Sequence, residues 1–138
     1  MNKVVDVLLV EDDQLDAMDI KRSLDKLTIF YKMIVAKNGE EALQVLKKTH
    51  EQTFDGLPDI ILIDINMPRM NGLEFLSQVR NTEEWKNIKC FMITTSDEKP
   101  DKATATALGI SGYIVKPFKI NNPASLDSFN LMIDLMNM

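Results

Sequence analysis

The chain has 138 residues, 45% of them apolar and 27% charged, with a net charge of −5 and one cysteine, Cys90. This is the length of one ordinary domain, enough to bury a core without disulfides or a structural metal, and no apolar stretch is long enough to span a bilayer. The lone cysteine excludes an internal disulfide and fits a reducing compartment, the acidic balance argues against nonspecific nucleic-acid binding, and the expected location is cytoplasmic.

The N-terminal MNKVVDVLLVEDD is a poor signal peptide, since acids directly follow its short apolar run. Residues 4–10 read instead as a first strand. Residues 13–27 carry Ala17, Ile20, Leu24 and Leu27 at helical spacing. Residues 30–36 read as a second strand. Asn38 followed by Glu41 forms a capping-box pattern that opens a helix bearing Ala42, Leu43 and Leu46. Residues 48–58 form the longest irregular stretch and hold the only histidine, His50, which reads as a solvated loop residue. Residues 59–64 form a third strand that ends in Asp64, with Asp59 as a turn residue at its entry. Asn71 caps a helix with Leu73, Leu76 and Val79. Residues 88–95 form a fourth strand, in which Cys90 reads as a buried structural thiol. Pro100 suits the first turn of a helix that Gly109 ends. Residues 111–115 form a fifth strand. Asn122-Pro123 opens a last helix with Leu126, Phe129, Met132 and Met136 along one stripe.

Strand and helix alternate five times with short connections. That pattern predicts an α/β fold with a five-stranded parallel sheet and helices on both faces, doubly wound. No linker, low-complexity segment or second domain is evident, so residues 1–138 read as one domain. In such sheets ligands bind beyond the carboxyl ends of the strands, where the strand order reverses. The first strand ends in Glu11, Asp12 and Asp13; the third in Asp64; the fourth in Thr94, Thr95 and Ser96; the fifth in Lys116 before Pro117. Asp13 on its own reads as a helix cap. Asp12 and Asp64 on adjacent strands, with Glu11 beside them, would repel and raise one another's pKa unless a cation relieved them. The donors are hard oxygens, which suits Mg2+, and no cysteine or histidine cluster suggests zinc. The Thr94 hydroxyl and Lys116 ammonium supply partners for phosphoryl oxygens, and a carboxylate can be the nucleophile that forms an aspartyl phosphate.

These residues bring the sequence to a family. The blocks LLVEDD (8–13), NGEEAL (38–43), DIILIDINMPRMNG (59–72), FMITTS (91–96) and GISGYIVKPF (109–118) resemble, in order and spacing, the response-regulator receiver domains of two-component signalling. The resemblance covers nearly the whole chain. It implies the flavodoxin-like (βα)5 fold with strand order 2-1-3-4-5. It implies that Asp64 is the phosphoacceptor, and that Glu11, Asp12, Asp64 and the backbone carbonyl of Asn66 bind Mg2+. Thr94 and Lys116 would bind the phosphoryl group, and Thr94 with Tyr113 would form the switch pair. The implied phosphodonor is a sensor histidine kinase or phosphotransfer protein, with hydrolysis of the chain's own acyl phosphate as a side activity and no other enzyme function. Lys116-Pro117 matches a place where many family members have a cis peptide bond.

With no effector domain after Met138, the expectation is a stand-alone receiver. It would signal through a phosphorylation-dependent protein partner, without direct nucleic-acid contact or membrane insertion. The face of the fourth helix, fifth strand and fifth helix is the candidate homodimer surface, and Leu131, Leu135 and Met138 flank the core stripe of the last helix. Departures from the commonest family pattern are Glu11 in place of Asp, Thr95 in place of Ala, and the long 48–58 loop; Asn66 and Ser96 lie where the family tunes dephosphorylation. Two other functions compete. A phosphorylation-independent pseudo-receiver would normally lack part of the acid, Thr or Lys set, which is intact here. A haloacid-dehalogenase-like phosphatase would want a second Asp where this chain has Asn66, and a cap domain that is not evident.

Overall fold

The computed structural model describes residues 4–27, 29–65, 70–94, 102–116, 130–132 and 134–135. The elements are β1 (Val5–Val10), α1 (Gln14–Asp25), β2 (Tyr31–Ala36), α2 (Gly39–Lys47), β3 (Ile60–Asp64), α3 (Gly72–Arg80), β4 (Lys89–Thr94), α4 (Lys102–Ala107) and β5 (Gly112–Val115). Residues 130–132 and 134–135 are helical. All strand pairs are parallel and the order is β2-β1-β3-β4-β5. The expected fold class is therefore observed, with strand boundaries within one or two residues of the sequence reading.

Side-chain alternation explains why β1, β3 and β4 are mostly apolar, with Asp6 the one polar residue inside β1. Val5, Val7, Leu9, Ile60, Leu62, Phe91 and Ile93 pack on one face with Ile20 and Leu24 of α1 and with Met132. Leu8, Val10, Ile61, Ile63, Cys90 and Met92 pack on the other face with residues of α2 and α3. Both faces are covered, so both alternation sets are apolar. Fully buried side chains such as Phe75 and Phe91 each contribute roughly 2–3 kcal/mol relative to exposure.

The helix starts are fixed by side chains. Asp13 is the N-cap of α1 and accepts from the N–H groups of Leu15 (2.8 Å) and Asp16 (3.0 Å). Asn38 accepts from Glu41 N–H at 2.8 Å, but the Glu41 carboxylate pairs with His50 Nε2 at 3.3 Å. The reciprocal capping box is found at α3, where Asn71 and Glu74 bond each other's backbone N–H. Such a cap is worth about 1 kcal/mol. Gly109 lies just past α4 with φ 74°, the left-handed conformation that suits glycine at a helix end.

His50 departs from the solvated reading. It is half-buried, held by Glu41, and its Nδ1 accepts from Gln52 N–H at 3.0 Å. The 48–58 loop is tied down further by Lys48, whose ammonium bonds the carbonyls of Phe54 and Gly56, and by burial of the Phe54 ring. Asp59 behaves as expected at the strand entry, where its Oδ2 accepts from Asp6 N–H at 2.9 Å. Leu135 is packed against the core on the α1 side, while Leu131 is 41% exposed. Leu126, Phe129, Met136 and Met138 lie outside the described residues, as do Thr95, Ser96, Pro100, Pro117 and Asn122-Pro123.

Candidate metal and phosphoryl site

The chain runs from β1 outward to β2, then crosses back to β3 on the other side of β1. The reversal leaves a crevice at the carboxyl ends of β1 and β3. The ladder continues one residue past β1, β3 and β5, through Glu11 N–H to Ala36 O, Ile65 N–H to Ile93 O and Lys116 N–H to Thr94 O. Period-two alternation then decides which side each terminal residue takes. Glu11 is in phase with Leu9, Asp64 with Leu62, and Lys116 with Ile114, all facing the α1 side. Thr94 is in phase with Met92, on the opposite face.

One ligand oxygen from each of Glu11, Asp12 and Asp64 lies within 4.8 Å of the others. Glu11 and Asp64 are buried, at 2% and 4% exposure, while Asp12 is exposed. Asp13, spent on the helix cap, is outside this group. Lys116 Nζ stands 3.1 Å from Glu11 Oε1, 2.8 Å from Asp16 Oδ2 and 3.9 Å from Asp64 Oδ2. Burial raises the Glu11 pKa from 4.5 to about 8, helped by its contact with Asp64 and that group's charge, and partly opposed by Lys116. Burial alone would lower the Lys116 pKa, but its bond to Asp16 and the charges of Asp64 and Glu11 raise it, so it remains an ammonium.

Among the described residues Glu11 Oε1 is buried without a hydrogen-bond partner, with the Lys116 ammonium 3.1 Å away as an ion pair. A buried carboxylate oxygen in that condition, beside two further hard oxygens, fits a divalent cation of the Mg2+ or Mn2+ type. Asn66, the fourth expected ligand, lies outside the described residues.

Thr94 is buried at 3% exposure, and Tyr113 is half-buried against the core on the α2–α3 side. The register pairs Met92 with Tyr113 and Thr94 with Val115, so Thr94 and Tyr113 lie on the same face of the sheet, two register positions apart. Cys90 is fully buried and its thiol pKa is pushed up to about 11 by that burial, as a structural thiol requires.

Two residues near the site escaped the sequence reading. Gly72 brings α3 so close to β3 that its N–H bonds the Ile65 carbonyl at 3.3 Å. Asp16, in the first turn of α1, is not among the site residues expected from the sequence. The signal was present, because Asp16, Ile20 and Leu24 are spaced by four and share the core-facing stripe of α1. An acid on that stripe, at the end nearest the strand termini, is placed to meet the site.

Comparison with known proteins agrees with this geometry. The family model of the response regulator receiver domain matches residues 7–124. The sensor histidine kinase CheAY of Helicobacter pylori is 36% identical over 112 residues, which are 81% of this chain and 13% of that much longer protein. The structure of the bacteriophytochrome response regulator AtBRR superposes with a TM-score of 0.81 at 29% identity, covering 99% of this chain and 95% of that one. The Mn(2+)-bound form of response regulator Rcp1 superposes with a TM-score of 0.74 at 26% identity, covering 95% and 91%.

The chain belongs to the response regulator receiver domain family. Receiver domains accept phosphoryl groups from histidine kinases and use Mg2+ or Mn2+ at an acidic pocket. Self-phosphorylation and self-dephosphorylation are general in the family, whose members are not enzymes in the ordinary sense. Among the described residues no helix is long and apolar enough to cross a membrane.

Proposed function

We propose that this chain acts as one receiver domain that takes a phosphoryl group onto Asp64 from a phosphohistidine of a histidine kinase or phosphotransfer protein. The observation that carries the reading is the placement of buried Asp64 within one acidic cluster with Glu11 and Asp12, and beside the Lys116 ammonium. Glu11, Asp12, Asp64 and the Asn66 carbonyl hold Mg2+. When bound, the ion offsets the negative charge that the phosphoryl oxygens bring among the carboxylates.

A carboxylate oxygen of Asp64 forms the new O–P bond as the P–N bond of the phosphohistidine breaks, and the departing imidazole nitrogen keeps the electron pair and takes up a proton. Lys116 neutralises one phosphoryl oxygen and the Thr94 hydroxyl donates to another. Hydrolysis of the acyl phosphate by water returns the Asp64 carboxylate and releases phosphate. Thr94 and Tyr113, on the same face of neighbouring strands, carry the change to the surface of α4, β5 and the C-terminal helical residues. That surface contacts a downstream protein or a second copy of the chain, and the domain acts without direct nucleic-acid contact or membrane insertion.

The test is a chase. An autophosphorylated histidine kinase carrying labelled phosphohistidine is mixed with this chain, with Mg2+ or with EDTA. Label is expected to move to this chain only with Mg2+. Failure to transfer from any of several kinases, together with turnover of a small phosphoester such as p-nitrophenyl phosphate, would replace the receiver reading with a phosphatase.

A further inference from the structure

The phosphoryl-accepting reaction requires Lys116 to be near Asp64 without saturating it. An ammonium resting on the nucleophilic carboxylate in a direct bond would compete with the incoming phosphorus for the same oxygen lone pairs. Lys116 Nζ is 3.9 Å from Asp64 Oδ2, beyond hydrogen-bond range, while its short bond, 2.8 Å, goes to Asp16 Oδ2. Asp16 comes from a different element, a hundred residues away in sequence, and its place on the Ile20–Leu24 stripe of α1 aims it at the end of β5. Glu11 is the other close carboxylate, at 3.1 Å. Glu11 is also one of the candidate metal ligands, so its hold on Lys116 weakens once its charge is shared with a cation. Asp16 lies outside the metal-ligand cluster, so a cation there would not compete for its carboxylate.

We propose that Asp16 is a positioning residue: it draws Lys116 aside from Asp64, leaving the gap in which a phosphoryl oxygen is received. The inference rests on the receiver reading above. Without the Asp16 carboxylate, Lys116 settles onto Asp64, or onto Glu11 when no metal is bound, and each phosphoryl transfer must first pull it away. Because the Asp16 side chain is 38% exposed, its hold on Lys116 rests on the direct charge-assisted hydrogen bond and not on longer-range charge, which solvent screens.

The experiment compares wild type, Asp16→Asn and Asp16→Glu for the rate of labelling by acetyl phosphate, measured by intact mass across a Mg2+ titration. Thermal unfolding is recorded for each. Asp16→Asn is expected to be slowed on the order of tenfold at saturating Mg2+, as for loss of one positioned charge-assisted hydrogen bond. Its Mg2+ midpoint should stay within about twofold of wild type, and Asp16→Glu should recover part of the rate. In lysine-15Nζ spectra the Lys116 ammonium resonance should shift in Asp16→Asn and return toward wild type in Asp16→Glu. An Asp16→Asn protein that folds and labels at the wild-type rate overturns the inference. So does a slowing that vanishes at higher Mg2+, which would make Asp16 part of metal binding. A wild type that takes no phosphoryl group from acetyl phosphate or from a phosphohistidine donor instead removes the receiver reading on which the inference stands.

Discussion

Replacing Gly72 by alanine tests whether the close approach of α3 to β3 is a requirement of the site. In most helices glycine to alanine is stabilising, by up to about 1 kcal/mol. Here an alanine Cβ would stand 2.5 Å from the Asp64 carbonyl oxygen, and 3.0 Å from Ile63 Cγ2 and Ile65 Cα. Two of those contacts are backbone, which cannot rotate away. Overpacking of this kind costs about 1–3 kcal/mol, so the clash outweighs the propensity gain and the net effect is a loss of about 1–2 kcal/mol. For a domain of this size that is a fall of roughly 3–8 °C in Tm. The backbone that must move carries Asp64 itself and leads into the Asn66 segment. Labelling from acetyl phosphate should therefore fall further than stability, since a displacement of about 1 Å can cost roughly a hundredfold in rate. Thermal unfolding followed by circular dichroism and phosphorylation followed by intact mass read the two effects separately. A Gly72→Ala protein with a raised Tm and an unchanged labelling rate would refute the claim that residue 72 has no room for a side chain.

Three further outcomes follow from the geometry. The folded-state pKa of Glu11, about 8, lies above its ordinary value of 4.5. Its contribution to stability is then full below the unfolded value and is lost as pH rises through about 8. Metal-free protein should lose urea resistance from about pH 5 to pH 8, Glu11→Gln should flatten that slope, and equal slopes in the two proteins would contradict the assignment. In the proposed site the ionised Glu11 is a Mg2+ ligand, so Mg2+ affinity should climb over the same interval with release of a proton, which calorimetry in buffers of different ionisation enthalpy detects. Arg80 donates from its guanidinium to the carbonyls of Leu108 (2.6 Å), Lys86 (3.0 Å) and Gly109 (3.2 Å), which tethers α3 to the turn between α4 and β5. Arg80→Met should cost about 2 kcal/mol and speed amide hydrogen exchange at residues 108–110, and unchanged exchange there would remove the tether from the account.

What could be read from the sequence was set by local physics. Val5–Val10 and Ile60–Asp64 were recognisable because a strand covered on both faces is apolar at most positions, here all but Asp6 and the terminal Asp64. Asn71 before α3, and Asp13 before α1, announced helix starts through the chemistry of unpaired N–H groups. Glu11, Asp12, Asp64, Thr94 and Lys116 could be named because a parallel sheet gathers its strand ends at one edge, whatever the details of packing. What escaped depends on long-range placement. The Asp16–Lys116 bond joins residues a hundred positions apart. The Glu41–His50 contact required the loop to fold back along α2, and that diverted Glu41 from the capping box its spacing suggested. Gly72 carried no local sign that a backbone carbonyl would occupy the place of its side chain.

The central claim is that Asp64, in its cluster of carboxylates, is the phosphoryl acceptor. Intact mass after incubation with Mg2+ and acetyl phosphate, comparing wild type with Asp64→Asn, tests it most directly. The expected result is a single phosphoryl adduct on the wild type that requires Mg2+, is lost on treatment with hydroxylamine, and is absent from a folded Asp64→Asn protein. Equal labelling of the two proteins would contradict the assignment and place the acceptor elsewhere in the chain.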